Sequence, residues 1–318
     1  MVSSNKRHKI PISHIHQQTK GFFMRLIYRA GIALLAAIGL AGCPSTQHSQ
    51  HTPSSGGGKP RAVVALALGG GASKGFAHIG VLKVLHENHI PVHIVTGTSA
   101  GALVGSLYAS GMSPARLQTE AIQMEKADIV DLTLSTRGFI RGEKLQNWIN
   151  AKVGNRPIQQ FPLKFAAVAT EFGTGKMTVF NSGNAGQAVR ASASIPNVFL
   201  PVEIRGKQYV DGGLSAPVPV SAAKRLGANV VIAVDISARP ARLDESSGFF
   251  AYLDQSLNIM SISALQQELG QASVVIKPQV QQLGAVGGFD QKTQAIQLGE
   301  QAARAALPQI KAVLARYR

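Results

Sequence analysis

The chain has 318 residues, with 32 Lys and Arg against 16 Asp and Glu, a formal net charge of +16 and a single cysteine. One cysteine excludes an internal disulfide, and the absence of a basic run interleaved with aromatics argues against a nucleic-acid partner. The surplus charge favours an anionic membrane surface, and the length suffices for one full α/β domain beyond a leader.

Residues 1–42 read as an export leader. Arg25 and Arg29 precede the apolar run 32–40, which is too short to span a bilayer comfortably. It ends in Leu40-Ala41-Gly42-Cys43, the lipobox pattern of bacterial lipoproteins, so Cys43 is the expected lipidation site; the alternative is a buried helix with an incidental cysteine. Met24 opens a signal peptide of ordinary size, which makes 1–23 a long leader or a mis-assigned start. The leader holds Lys6, Arg7, Lys9, Lys20, Arg25 and Arg29 and no acid, leaving 26 basic against 16 acidic residues downstream. Residues 43–60, rich in Ser, Thr, Gln, His, Gly and Pro, read as a lipidated flexible tether. The expected location is the cell envelope, anchored by lipid. Pro44, in place of an aspartate, points to the outer membrane, facing the periplasm or the surface.

The domain is expected over 61–318. Runs 62–68 and 92–96 read as strands, separated by an amphipathic helix over 76–87. Helices follow over 100–110, closed by Gly111, over 114–126, and over 143–153, which carries the only tryptophan, Trp148. Residues 165–170 and 176–180 form a hairpin around Gly173-Thr174-Gly175. A helix over 185–194 stops before Pro196, a short strand spans 207–210, and a helix over 218–226 is capped by Gly227. Residues 229–235 are a buried strand, 237–260 an irregular aromatic-rich segment with Phe249, Phe250 and Tyr252, and 294–318 an amphipathic helix packed on the sheet. Alternating strands and helices predict an α/β fold with a mainly parallel central sheet and helices on both faces. Ligands then bind at the carboxyl ends of the strands.

Three motifs follow predicted strands. Gly97-Thr98-Ser99-Ala100-Gly101 has the form of a nucleophile elbow. The last histidine is His93, before Ser99, so the Ser-then-His order of α/β-hydrolases is excluded and another base is needed. Asp211, in Asp211-Gly212-Gly213, is the best candidate, although Asp-Gly is also an ordinary turn dipeptide. His78 or His93 is the alternative base. The loop Gly69-Gly70-Gly71-Ala72-Ser73-Lys74-Gly75 joins a strand to a helix, where backbone N–H groups favour a phosphate or an oxyanion. It fits neither a P-loop nor a dinucleotide fingerprint, because Lys74 precedes Gly75 with no Ser or Thr after it and the last glycine comes one residue late. His86, His89 and His93 have metal-like spacing, but Pro91 breaks the shared face, so a solvated helix end is expected and no metal or cofactor.

Together these motifs resemble the patatin-like phospholipase family. The resemblance extends to Phe76-Ala77-His78-Ile79-Gly80-Val81-Leu82, to Ala191-Ser192-Ala193-Ser194-Ile195-Pro196, and to Phe199-Leu200-Pro201-Val202. It is clearest over 62–235; the extension 236–318 matches more loosely, with Gly288-Phe289-Asp290 before a helix as in bacterial members. It implies a three-layer fold, Ser99 as nucleophile and Asp211 as base, with Gly97, Gly101, Gly212 and Gly213 shaping their turns. Gly69, Gly70, Gly71, Lys74 and Gly75 are then the oxyanion loop, with Gly70 and Gly71 as donors. The implied activity is hydrolysis of acyl esters in phospholipids, lysophospholipids or other lipids, without cofactor. The competing expectation is a non-catalytic envelope lipoprotein that binds lipid. Neither acyl length, headgroup, sn-position nor oligomeric state is legible.

Overall fold

The alternating pattern becomes one mixed, mostly parallel sheet clad by helices in a computed structural model that describes residues 61–237, 248–283 and 288–317. The expected leader, the Cys43 lipobox and the tether lie outside the described residues, as do Arg239-Pro240 and Ser246-Ser247 of the irregular segment. In chain order the strands are β1 (Val64–Leu68), β2 (Ile94–Thr98), β3 (Lys164–Glu171), β4 (Met177–Phe180), β5 (Val202–Ile204), β6 (Lys207–Asp211), β7 (Val230–Val234) and β8 (Val274–Ile276). The helices are α1 (Ala77–Glu87), α2 (Ala100–Ala109), α3 (Pro114–Gln123), α4 (Lys126–Ile129), α5 (Glu143–Lys152), α6 (Ala185–Ser192), α7 (Val220–Arg225), α8 (Phe249–Leu269) and α9 (Lys292–Ala315).

The hydrogen-bonded path runs β5-β6-β3-β2-β1-β7-β8, with β4 pairing β3 off that path. From β3 to β8 through β2, β1 and β7 every pair is parallel, while β4 and β6 lie antiparallel to β3. β4 pairs with Ala167–Thr170 of β3 and so takes the edge opposite β2. β6 pairs with Ala169–Glu171 and must share the β2 edge. β2 and β6 therefore run toward each other along one edge of β3: Thr98 sits opposite Val168, and Asp211 opposite Ala169.

β1 is buried throughout, and its side chains sort between the two layers with a period of two. Val64, Leu66 and Leu68 join Ile232 and Val234 in the core shared with α1, α2 and α9, whereas Ala65 and Ala67 face the α7–α8 layer with Val220, Ala223 and Leu265. Three expectations change. α1 is buried on nearly every side rather than amphipathic, because α9 lies across it. α9 accordingly packs first on α1 and only secondarily on the sheet. The segment expected to be irregular is helical from Phe249: 249–269 holds neither glycine nor proline to break it, and its apolar residues scatter around the axis without the stripe that signals a helix in sequence. β5, β8 and the short α4 are further elements that the pattern did not announce.

The α1–α9 crossing depends on two glycines. A Cβ on Gly80 would lie 1.9 Å from the Ile296 carbonyl oxygen, and one on Gly299 would lie 2.0 Å from that of Ala77. Gly80→Ala is expected to force the helices apart and cost about 3 kcal/mol, the upper range for overpacking. Thermal unfolding of the variant should show a Tm lower by about 5 °C or more.

Candidate active site

β1, β2 and β6 deliver their ends to one level of the sheet: Leu68 pairs with Gly97, Thr98 with Val168, and Asp211 with Ala169. Ser99 leaves β2 at φ 53°, ψ −119°, a strained conformation for a residue with a side chain, and its carbonyl accepts the first N–H groups of α2, from Ala102 and Leu103. The flanking glycines are needed for close approach. A Cβ on Gly97 would lie 2.3 Å from the Gly101 oxygen, and one on Gly101 would lie 2.1 Å from the Leu68 oxygen. Gly212 lets β6 end against β3, since its Cβ would meet the Val168 oxygen at 2.1 Å. At Gly213 a Cβ would approach Asp211 Oδ1 to 3.0 Å.

Asp211 is held at every point but one. Its N–H donates to the Ser194 carbonyl (2.8 Å), its carbonyl accepts from Thr170 Oγ1 (2.9 Å), and Oδ1 accepts from the Gly213 N–H (2.7 Å). Oδ2 has no hydrogen-bond partner of ordinary geometry, although the Ser99 hydroxyl is close enough to favour the charged carboxylate. Burial dominates and pushes the acid up from 3.8 to about 6, against the lowering influence of the Gly213 N–H and the Ser99 hydroxyl.

The glycine loop is arranged differently from expectation. The Gly69 N–H donates to the Val234 carbonyl, the Gly70 N–H to the Pro217 carbonyl, and the Lys74 N–H to the Gly71 carbonyl, so these three amides are already taken. The Lys74 side chain is buried, 2% exposed. Gly75 lies against α2, where a Cβ would be 2.6 Å from Ala100 Cβ. Of the expected donors only the Gly71 N–H has no partner among the described residues, and the N–H of the next residue, Ala72 at φ 50°, has none either. Gly70 instead lets the loop approach the nucleophile, its Cβ position being 3.4 Å from Ser99 Cβ.

Neither alternative base reaches Ser99. His93 sits at the opposite end of the sheet, where its Nδ1 accepts from the Val64 N–H (3.0 Å). His78 is fully buried with Nε2 2.8 Å from the Gly69 carbonyl oxygen, and burial lowers it from 6.5 to about 4, against the raising influence of that carbonyl. The neutral ring thus donates through Nε2–H and fixes the glycine loop. His86 and His89 are exposed, and among the described residues no cluster of three or more His, Cys, Asp or Glu could hold a metal ion.

Sequence reasoning also missed Ser192. Its side chain is fully buried; Oγ accepts from the Ser99 N–H (2.9 Å) and donates to the Val168 carbonyl (2.5 Å). One hydroxyl thereby ties the strained elbow to β3, the strand against which β6 lays the base. The only signal was its place in the Ala191-to-Pro196 stretch that carried part of the resemblance.

The family model described as patatin-like phospholipase matches residues 66–224, from β1 through the elbow and Asp211 to α7. The chain belongs to the patatin-like phospholipase family. Among relatives of this family member, an uncharacterized NTE family protein of Mycobacterium tuberculosis is 35% identical over 215 residues, 66% of this chain and 59% of that protein. Lysophospholipase NTE1 of Coccidioides immitis is 34% identical over 229 residues, 67% of this chain. The chain thus spans less than two thirds of the mycobacterial relative's length and only 14% of the fungal one's. Its fold is similar to that of VipD from Legionella pneumophila, at a TM-score of 0.54 and 13% identity, over 80% of this chain and 67% of that one.

Removing the Ser192 hydroxyl strands a buried N–H and a buried carbonyl. Ser192→Ala is expected to cost about 1–3 kcal/mol. Urea unfolding should give a lower midpoint at unchanged m-value.

Proposed function

We propose that this family member is a lipid acyl hydrolase working through a Ser99–Asp211 dyad without histidine. The observation that carries the reading is a serine at positive φ beside a buried carboxylate whose second oxygen has no other partner. Membership of a phospholipase family, and the lysophospholipase name of the fungal relative, support an acyl ester of a lipid as substrate. A purely lipid-binding protein has no use for that arrangement.

In the proposed reaction Ser99 Oγ attacks the ester carbonyl carbon while its proton passes to Asp211 Oδ2. The N–H groups of Gly71 and Ala72 receive the negative charge that develops on the carbonyl oxygen. Asp211 then returns the proton to the departing alcohol, and the acyl group rests on Ser99. A water molecule loses its proton to Asp211, attacks the acyl carbonyl and releases the fatty acid, and the proton returns to Ser99. The raised pKa suits this traffic, because a carboxylate near 6 accepts a proton more readily than one near 4.

Ser99→Ala and Asp211→Asn are each expected to lower kcat/KM on a short aryl ester by about 10³-fold or more, while His93→Gln keeps at least about half the activity. Ser99→Ala should also lose labelling by a fluorophosphonate. Full activity in Ser99→Ala overturns the assignment.

The rate should need ionised Asp211, so kcat/KM falls as pH drops through about 6, by about tenfold between pH 7 and pH 5 for a single titration. Stability follows different signs. The buried Asp211 carboxylate costs stability as pH rises through the window from 3.8 to about 6, whereas neutral His78 contributes stability above 6.5 that is lost as pH falls toward 4. The loss of rate should therefore precede acid unfolding, as parallel rate and circular-dichroism titrations would show.

We further infer that Cys43 carries a lipid anchor, on the strength of the Leu40-Ala41-Gly42-Cys43 pattern. Metabolic labelling with a fatty-acid analogue should mark the parent and not Cys43→Ser. Equal labelling of both removes the anchor.

A further inference from the structure

Between α4 and α5 the chain projects through Asp131-Leu132-Thr133-Leu134-Ser135-Thr136-Arg137 and returns through Gly138 to Arg141. Thr133 donates its N–H to the Phe139 carbonyl (2.8 Å), and Leu132 bridges to Ile140 in antiparallel fashion. Alternate residues of an extended segment share a face, which puts Leu132 and Leu134 together. Leu132 is 77% exposed and Leu134 completely so, at 104% of the reference area. Connecting segments ordinarily present polar residues to water; two neighbouring leucines held outward are an exception to explain.

The projection is rigidly mounted. Asp131 accepts the Gly142 N–H on Oδ1 (2.7 Å) and the Glu143 and Lys144 N–H groups on Oδ2 (2.9 and 3.3 Å), while its carbonyl accepts from Arg141 (2.9 Å). Phe139 and Ile140 both donate to the Val198 carbonyl, and Leu200 donates to that of Ile140. Gly138 permits the contact, since its Cβ would lie 2.7 Å from the Phe199 carbonyl carbon. The 198–200 strip leads back to Ser194, whose carbonyl holds the Asp211 N–H. Leu132, the strip and the candidate base are thus linked through one run of hydrogen-bonded backbone.

Charge identifies the occupant. Arg137 and Arg141 are exposed in the same projection and make no ion pair among the described residues, whereas the Asp131 carboxylate is bound to amides and Glu143 faces Arg190 at 4.0 Å. Apolar tips flanked by uncompensated arginines suit the headgroup boundary of an anionic bilayer. A stable dimer buries on the order of 1,000 Å² or more, which two leucines do not approach. Among the described residues no helix is long and apolar enough to cross a membrane, so contact through them is peripheral.

We propose that the 132–137 projection is the membrane-docking edge of the site: Leu132 and Leu134 enter the headgroup boundary of an anionic bilayer, and Arg137 and Arg141 meet lipid phosphates. The purpose of docking rests on the acyl-hydrolase reading, since it brings the Ser99–Asp211 pair to its substrate; the docking itself is measured independently.

The full chain has one tryptophan, Trp148, so Leu134→Trp reports on the tip against the parent as control. With phosphatidylcholine–phosphatidylglycerol vesicles its emission should shift to the blue and be quenched by brominated acyl chains, while the parent's stays unchanged. The double variant Leu132→Ser, Leu134→Ser should lose about tenfold or more of vesicle turnover and keep kcat/KM on a short soluble ester within about twofold. Unmoved Leu134→Trp emission overturns the proposal. So does equal loss on both substrates, or a dimer in sedimentation that the double variant dissolves. A parent that hydrolyses neither substrate overturns the acyl-hydrolase reading instead, and the tryptophan measurement still decides the docking.

Discussion

At the point where β2 and β6 meet on one edge of β3, the Ser192 hydroxyl joins the Val168 carbonyl to the Ser99 N–H. Neither neighbouring strand extends across that junction, because β2 stops at Thr98 and β6 stops at Asp211. The positions of nucleophile and base are thus set by the register of one sheet, with a single side chain pinning the gap. Placement on regular elements gives finer control than placement on loops. It also explains the density of glycines here: Gly97, Gly101 and Gly212 each bring backbone within a distance that a Cβ would forbid.

The same junction sets the electrostatics. Asp211 is buried because its strand ends inside the sheet, and burial is what raises its affinity for a proton. A better-solvated carboxylate at a loop tip would be a weaker acceptor. The glycine loop complements this from β1. With the Gly69 and Gly70 amides fixed on Val234 and Pro217, and the Gly69 carbonyl held by His78, the loop is preorganised before any ligand arrives.

What the sequence made legible was local. The elbow, the Asp-Gly-Gly turn and the glycine loop are short patterns whose chemistry is set by near neighbours, and the parallel strands β1, β2, β3 and β7 announced themselves as apolar runs, whereas the three-residue β8 did not. Contacts across long separations were not legible. Ser192 reaches Ser99 from 93 residues away and is one serine among many. Which loop amides stay available depends on Pro217 and Val234, which no spacing within Gly69–Gly75 reveals. α8 escaped because its apolar residues form no stripe, and α1 was misjudged because amphipathicity says nothing about a later helix covering the polar side.

The crossing of α1 by α9 has a further consequence for the order of assembly. α1 carries the glycine loop at its amino end, yet the helix that covers it, α9, begins only at Lys292. Synthesis proceeds from the amino end, so the elbow, the loop and Asp211 are all made while α1 still lacks its cover. Closure of the core waits for Gly299 to settle on Ala77. The domain is in this sense sealed from its far end, and a polypeptide interrupted before residue 292 would leave the wall behind its own glycine loop open to water.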